Sequence, residues 1–131
     1  MITRFAPTPS GYLHLGNAVN AQLVAWLALS ADGEIRLRID DMDAPRSRGE
    51  YVEDIFNTLA WLEIDWKGGP TDSEDFLQRH SMRGRTEHYR AELEQARGRG
   101  LEVYACTCSR SQLRGPPVGG CPGGCREARH A

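Results

Sequence analysis

The sequence has no apolar run approaching the roughly 20 residues that cross a bilayer as a helix, which argues against a membrane protein. It has no excess of positive charge either. The 16 basic and 18 acidic residues leave a formal charge of −2, so a global basic field that would gather nucleic acid over the whole surface is excluded. The opening MITRFAPTPSG lacks an apolar central region and is not expected to act as a secretory signal. No internal repeat is visible, and lysine is nearly missing, with Lys67 the single instance. A cytoplasmic protein is the expectation.

What is present is modest in size. A chain of 131 residues makes one domain or part of one, and its apolar share of 40% is slightly below the usual globular range. Four cysteines in a cytoplasmic chain point to metal binding or catalysis rather than disulfides. Arg83, Arg85, Arg90, Arg97 and Arg99 crowd one segment. They read first as a solvated helix face, with a local binding patch as the alternative.

Periodicity orders the chain. Ile2 to Ala6 reads as a short strand ended by Pro7 and Pro9. A helix is expected from Leu15 to Ser30, marked by Val19, Leu23, Trp26 and Leu27 and stopped by Asp32-Gly33. Glu34 to Ile39 alternates as a half-buried strand does and runs into the acidic turn DDMDAPR. A second helix is expected over Gly49–Leu62, with Val52, Ile55, Phe56, Leu59 and Leu62 on one face. The stretch DWKGGPTDSED reads as loop, Arg83 to Arg97 as a third helix closed by Gly98 and Gly100, and Leu101 to Ala105 as a further strand. Strands alternating with helices predict an α/β layer with parallel strands over residues 1–105, followed by a cysteine-rich segment, 106–131.

Two stretches carry chemistry. In RFAPTPSGYLHLGN, residues 4–17, a strand runs through a Gly/Pro loop into a helix N-terminus, where first-turn N–H groups lack intrahelical partners and the helix dipole favours an anion. Gly11 and Gly16 leave room for a ligand to approach the backbone, and His14 can donate to a phosphate oxygen. By itself the pattern is also compatible with an ordinary capping histidine. In the second stretch Cys106 and Cys108 form one close pair, Cys121 and Cys125 another, joined by SRSQLRGPPVGG. Two thiol pairs on a loop that folds back match a tetrahedral structural zinc site. Free buried cysteines and a disulfide are the alternatives.

RFAPTPSGYLHLGN resembles the first signature, the HIGH motif, of class I aminoacyl-tRNA synthetases in the form carried by the glutamyl branch. The resemblance continues in order through LRIDDMDAPRSR, WLEIDW and YRAELEQARGRGLEVYACTC, nearly the whole chain. The CTC pair and the CREARH ending are most similar to the glutamyl-Q tRNA(Asp) synthetases, the paralogues without an anticodon-binding domain. The resemblance implies a Rossmann-like (HUP-type) parallel sheet, the first half of a synthetase catalytic domain, with a zinc-knuckle insertion facing the tRNA acceptor end. It further implies activation of glutamate by ATP and transfer to tRNA. By motif position, Arg4, Ala6, Thr8 and Asp40 would hold glutamate, Asp40 taking the α-ammonium. Pro7, Gly11, His14, Gly16 and Asn17 would hold ATP, with His14, Gly16 and Asn17 the catalytic group at the reacting phosphates.

The chain departs from that pattern in instructive ways. Asp40 stands where the family usually has Glu, one methylene shorter, and Asp40, Asp41 and Asp43 could equally be a turn and helix-cap cluster. Relatives often use tyrosine as third zinc ligand. Here Cys121 falls at that place, so Cys106, Cys108, Cys121 and Cys125 would make a four-thiolate site with no vacancy for His130. A KMSKS loop needs lysines, and Lys67 in WKGGP cannot supply one. Little aminoacylation is therefore expected of these 131 residues alone, and a non-catalytic, zinc-stabilised nucleotide- or RNA-binding domain is the alternative. A different nucleotidyltransferase fits the acidic turn and the thiols less well. Oligomeric state is left open, since a half-fold exposes a sheet edge.

Overall fold

The computed structural model describes residues 1–109, 111–114, 121 and 124–128. Two compact units result, Met1–Glu87 and His88–Ala131. The division falls upstream of the 105/106 boundary expected from composition.

In the first unit, strand β1 (Ile2–Phe5) lies parallel to β2 (Glu34–Leu37). The register runs from Ile2 opposite Glu34 to Phe5 opposite Leu37. The crossover between them is helix α1 (Leu15–Ser30), and the second helix is α2 (Gly49–Trp61). Alternation sets which strand residues go inside: Phe5, Ile35 and Leu37 are buried, while Arg4 and Arg36 are exposed. The α2 face expected from spacing is the one that packs, with Val52, Ile55 and Leu59 buried and Phe56 and Leu62 against them.

Helix α1 behaves differently. Its extent is as expected, yet the stripe that marks it in sequence is not the one that is buried. Val19, Leu23, Trp26 and Leu27 are exposed, and Ala21 and Ala28 face the core with Val24 and Ala25 beside them. Small side chains let the helix axis come close to a narrow sheet, and the bulky stripe is left outward.

The segment read as loop after α2 is more ordered than expected. Leu37 N–H donates to Gly68 O at 2.8 Å and Lys67 N–H to Ile35 O at 3.0 Å, forming a parallel bridge beside β2. Gly69 adopts φ +110°, and a Cβ there would lie 1.9 Å from Leu37 O, so glycine is obligatory at this approach. Asp72 then caps a short turn, α3 (Ser73–Asp75), which passes into a π-turn, Phe76–His80, and a 3₁₀ turn, Met82–Arg85. Phe76 plugs the core.

Helix α4 (Thr86–Gly98) starts three residues later than expected, has no buried residue, and carries Arg90 and Arg97 outward. The strand expected at Leu101–Ala105 does not form. A strand exists only through ladder bonds to a neighbour, and among the described residues no β-ladder includes this stretch, whose residues are exposed. The second unit is instead gathered around the thiols, with α5 (Cys125–Ala128) placing Cys125 inside and Arg126 in an ion pair with Glu102.

Candidate functional site

Between the end of β1 and the start of α1 the loop walls a cavity of about 420 Å³, lined by Phe5, Ala6, Pro7, Thr8, Gly11, Leu13, His14, Asn17 and their neighbours. Six of the sequence-expected site residues are thus gathered in one cleft: Ala6, Pro7, Thr8, Gly11, His14 and Asn17. Arg4, Gly16 and Asp40 are not among its lining residues.

His14 is the N-cap of α1. Its Nδ1 accepts the Gly16 N–H at 3.0 Å, and its own N–H donates to Asn17 Oδ1 at 3.1 Å. The reciprocal pair closes the helix start. It also sets the tautomer: with Nδ1 committed as acceptor, the neutral ring carries its proton on Nε2 and offers that N–H as a donor. A side chain at position 16 would push this imidazole aside. A Cβ there would sit 2.9 Å from His14 Cε1 and 3.1 Å from Nδ1. At Gly11 a Cβ would meet nothing within 4 Å, so no contact within the chain demands glycine there.

The loop is anchored from α2. Asp54 accepts the Leu13 N–H at 2.8 Å, Tyr12 stacks edge-on against Tyr51 with centroids 5.0 Å apart, and Arg48 N–H reaches Pro9 O at 3.4 Å. Sequence reasoning missed these partners. They lie about forty positions from the loop, and no local pattern marks them.

The acidic turn begins beside the same loop, since Asp40 N–H donates to Pro7 O at 2.9 Å. The Asp40 carboxylate faces Arg38, with Oδ1 2.6 Å from Nε and Oδ2 accepting from Nη2 at 2.8 Å. An ammonium bound there would share the carboxylate with Arg38. The neighbouring Asp41 has the structural part: it is buried and accepts from Ser81 Oγ at 2.5 Å and Met82 N–H at 2.8 Å. Asp75 is the other buried acid. It accepts the Thr71 N–H at 2.9 Å and pairs with Arg79, and these hold its carboxyl below the usual aspartate value against the opposing effect of burial.

In the second unit all four sulfurs lie within 4.8 Å of one another. Cys108 Sγ is 3.6 Å from both Cys121 Sγ and Cys125 Sγ. Zinc–sulfur bonds of about 2.3 Å in a tetrahedron require sulfur–sulfur edges of about 3.8 Å, so the donor set fits. The Thr107 N–H, with help from Cys108, draws the Cys125 thiol down to about 6. The Cys108 S–H serves as donor to Cys125, Cys121 and Cys106 and is pushed up to about 12, since crowded thiols cannot all ionise without a cation between them. His130 lies outside the described residues.

Comparison with known proteins places these features. The family model for the class I tRNA synthetases (E and Q), catalytic domain, matches residues 1–115. The chain belongs to this family. The glutamyl-Q tRNA(Asp) synthetase of Rhodobacter capsulatus is 39% identical over 139 residues, covering 97% of this chain and 46% of its own. Glutamate–tRNA ligase 1 of Anaplasma marginale is 58% identical over 67 residues, which are 50% of this chain and 15% of that one. Among solved structures, a glutamate tRNA ligase from Elizabethkingia meningosepticum, in complex with its amino acid, aligns with a TM-score of 0.62 and 27% identity over 86% of this chain and 22% of its own. This class I synthetase chain spans less than half the length of each of these relatives. Its parallel sheet, crossover helix and cysteine cluster are those expected of the glutamyl branch, and among the described residues no helix is long and apolar enough to cross a membrane.

Proposed function

We propose that the chain forms the ATP- and glutamate-facing half of a synthetase that activates glutamate and transfers it to tRNA, of the glutamyl-Q tRNA(Asp) type. The observation that carries this is the single cleft at the start of α1, lined by Ala6, Pro7, Thr8, Gly11, His14 and Asn17. The subtype is favoured by extent: similarity to the glutamyl-Q relatives covers 84–99% of the chain, whereas that to the glutamate–tRNA ligases covers 50–85%.

In this reading a glutamate α-carboxylate oxygen attacks the α-phosphorus of ATP, the bond to the bridging oxygen breaks, and pyrophosphate leaves. The acyl group then passes from the adenylate to an RNA hydroxyl, releasing AMP. The chain's contribution is positioning and charge stabilisation. His14 Nε2–H donates to a phosphate oxygen, the α1 N-terminus adds its dipole, and Ala6 and Thr8 shape the amino-acid side. Arg4, outside the described lining, would pair a carboxylate in planar fork geometry, and Asp40 would take the ammonium beside Arg38. Cys106, Cys108, Cys121 and Cys125 would hold zinc in a closed structural site, in a reducing cytoplasm that keeps the thiols available.

Calorimetry with ATP and glutamate tests the reading. The expected result is measurable ATP binding, weakened at least tenfold by Gly16→Ala, whose methyl group displaces the imidazole. Pyrophosphate exchange by these residues alone should be slight, because no second lysine-bearing loop lies among them. Absence of binding of either ligand would leave the alternative, a zinc-stabilised RNA-binding domain.

A further inference from the structure

We infer that Asp54 is a positioning residue for the signature loop, setting the His14 imidazole from across the fold. The inference rests on the ATP-site reading given above.

Residues 48, 51 and 54 stand one turn apart along the start of α2, and each touches the loop that precedes α1: Arg48 N–H reaches Pro9 O, Tyr51 packs on Tyr12, and Asp54 accepts from Leu13 N–H. The helix edge therefore follows the loop from Pro9 to Leu13. Asp54 acts at its last point, one residue before the N-cap. His14 cannot set its own ring through the cap alone. Its Nδ1 bond to Gly16 fixes the ring against α1, but the direction in which the chain enters the cap is set by the Leu13 peptide. That peptide's N–H is held by a half-buried carboxylate rather than by water. The same bond removes one donor from the rim of an anion cleft. A bound phosphate is thereby directed to the positive end of the α1 dipole and to His14 Nε2 instead of the Leu13 amide.

Asp54 has no lining position in the cleft, so its effect on a ligand passes through the loop. Two substitutions separate hydrogen bonding from charge. Asp54→Ala removes acceptor and charge together, whereas Asp54→Asn keeps an oxygen acceptor and loses the charge.

The test uses the full 131-residue chain and two readouts, ATP affinity by calorimetry and NMR of the ligand-free protein. With Asp54→Ala, Leu13 amide exchange should speed up at least tenfold, the His14 ring signals should shift, and ATP binding should weaken about tenfold. Asp54→Asn should restore most of both. Unchanged Leu13 protection and unchanged His14 signals in Asp54→Ala would overturn the inference. So would ATP binding equal to that of a parent chain that binds it. A loss in Asp54→Asn as large as in Asp54→Ala would also overturn it, because charge and not the bond would then be responsible. If the parent binds no ATP, the nucleotide reading fails, while the Leu13 and His14 signals still decide whether Asp54 sets the loop. Should Asp54→Ala not fold, Asp54→Ser, whose shorter side chain does not reach the Leu13 N–H, carries the decision, with faster Leu13 exchange and displaced His14 signals expected and parent-like signals overturning the inference.

Discussion

The Met1–Glu87 and His88–Ala131 units solve the same problem by different means. The first buries a continuous apolar cluster, from Phe5 on β1 through Ile55 and Leu59 on α2 to Phe76 on the π-turn. The second has no buried apolar side chain among its described residues other than Cys125, and helix α4 has no buried residue. A segment of that kind cannot offset its ordering entropy by burial. What its described residues gather around instead is the cluster of four thiols. The difference teaches that a chain with little lysine and modest apolar content can still present a built cleft, with the core-forming residues and the clustered cysteines kept in separate stretches.

The largest effect that would break this contrast is metal removal. Purified chain is expected to carry one zinc per molecule, and a chelator, or Cys125→Ala, should collapse the NMR signals of residues 88–128 while those of 1–87 persist. Structural zinc supplies roughly 10–16 kcal/mol of apparent folding free energy in comparable small sites. Protein without zinc and with an unchanged melting curve would show that the second unit is ordered by something else.

The converse perturbation sharpens the same line. Ile55 is completely buried, and Ile55→Ala should cost about 2–5 kcal/mol through lost transfer energy and a residual cavity. All three tryptophans, Trp26, Trp61 and Trp66, lie in the first unit, so denaturant unfolding followed by their fluorescence reports on it alone. Zinc content should stay at the parent value. Loss of zinc in Ile55→Ala would mean that the two units do not stand independently.

The smallest effect is electrostatic and also confined to the first unit. The Asp75 carboxyl is held below its usual value chiefly by the Thr71 N–H and Arg79. A depressed folded pKa stabilises the fold at all pH values above the unfolded one, and the contribution disappears as pH falls through the folded value. Melting temperatures of the parent and of Asp75→Asn should therefore differ at neutral pH and converge as pH drops below about 3.9, the ordinary aspartate value. A gap that persists at pH 2 would assign the role of Asp75 to shape rather than charge.

Legibility followed the range of the interactions. The two parallel strands, α1 and α2 could be read because each is marked by a local period and a local stop, such as Asp32-Gly33 after α1. The alternation in EIRLRI even identifies Ile35 and Leu37 as the inward side chains. Leu101–Ala105 misled for the opposite reason: its composition suits a strand, and a strand needs a partner that composition cannot supply. The stripe on α1 misled more subtly, since periodicity reports that a helix exists but not which of its faces meets the sheet. In WKGGP, the glycine at position 69 looked like loop punctuation, whereas its real constraint is the carbonyl of Leu37 almost in contact.

The candidate site divides in the same way. The Gly/Pro loop with His14 at a helix start, and the two close cysteine pairs, were legible in the sequence alone, because residue type and spacing over a few positions mark a helix N-terminus and paired thiols as candidates. Only the tertiary structure decided that Asp41 clamps the turn to Ser81 and Met82, that Asp40 faces Arg38, and that Asp54 holds the peptide before His14. Those contacts join residues far apart along the chain, apart from the Asp40–Arg38 pair, whose facing depends on how the strand end is packed. No local propensity carries such information: it arises when the core of Ile55, Leu59 and Phe76 brings α2 and the π-turn against the end of the sheet.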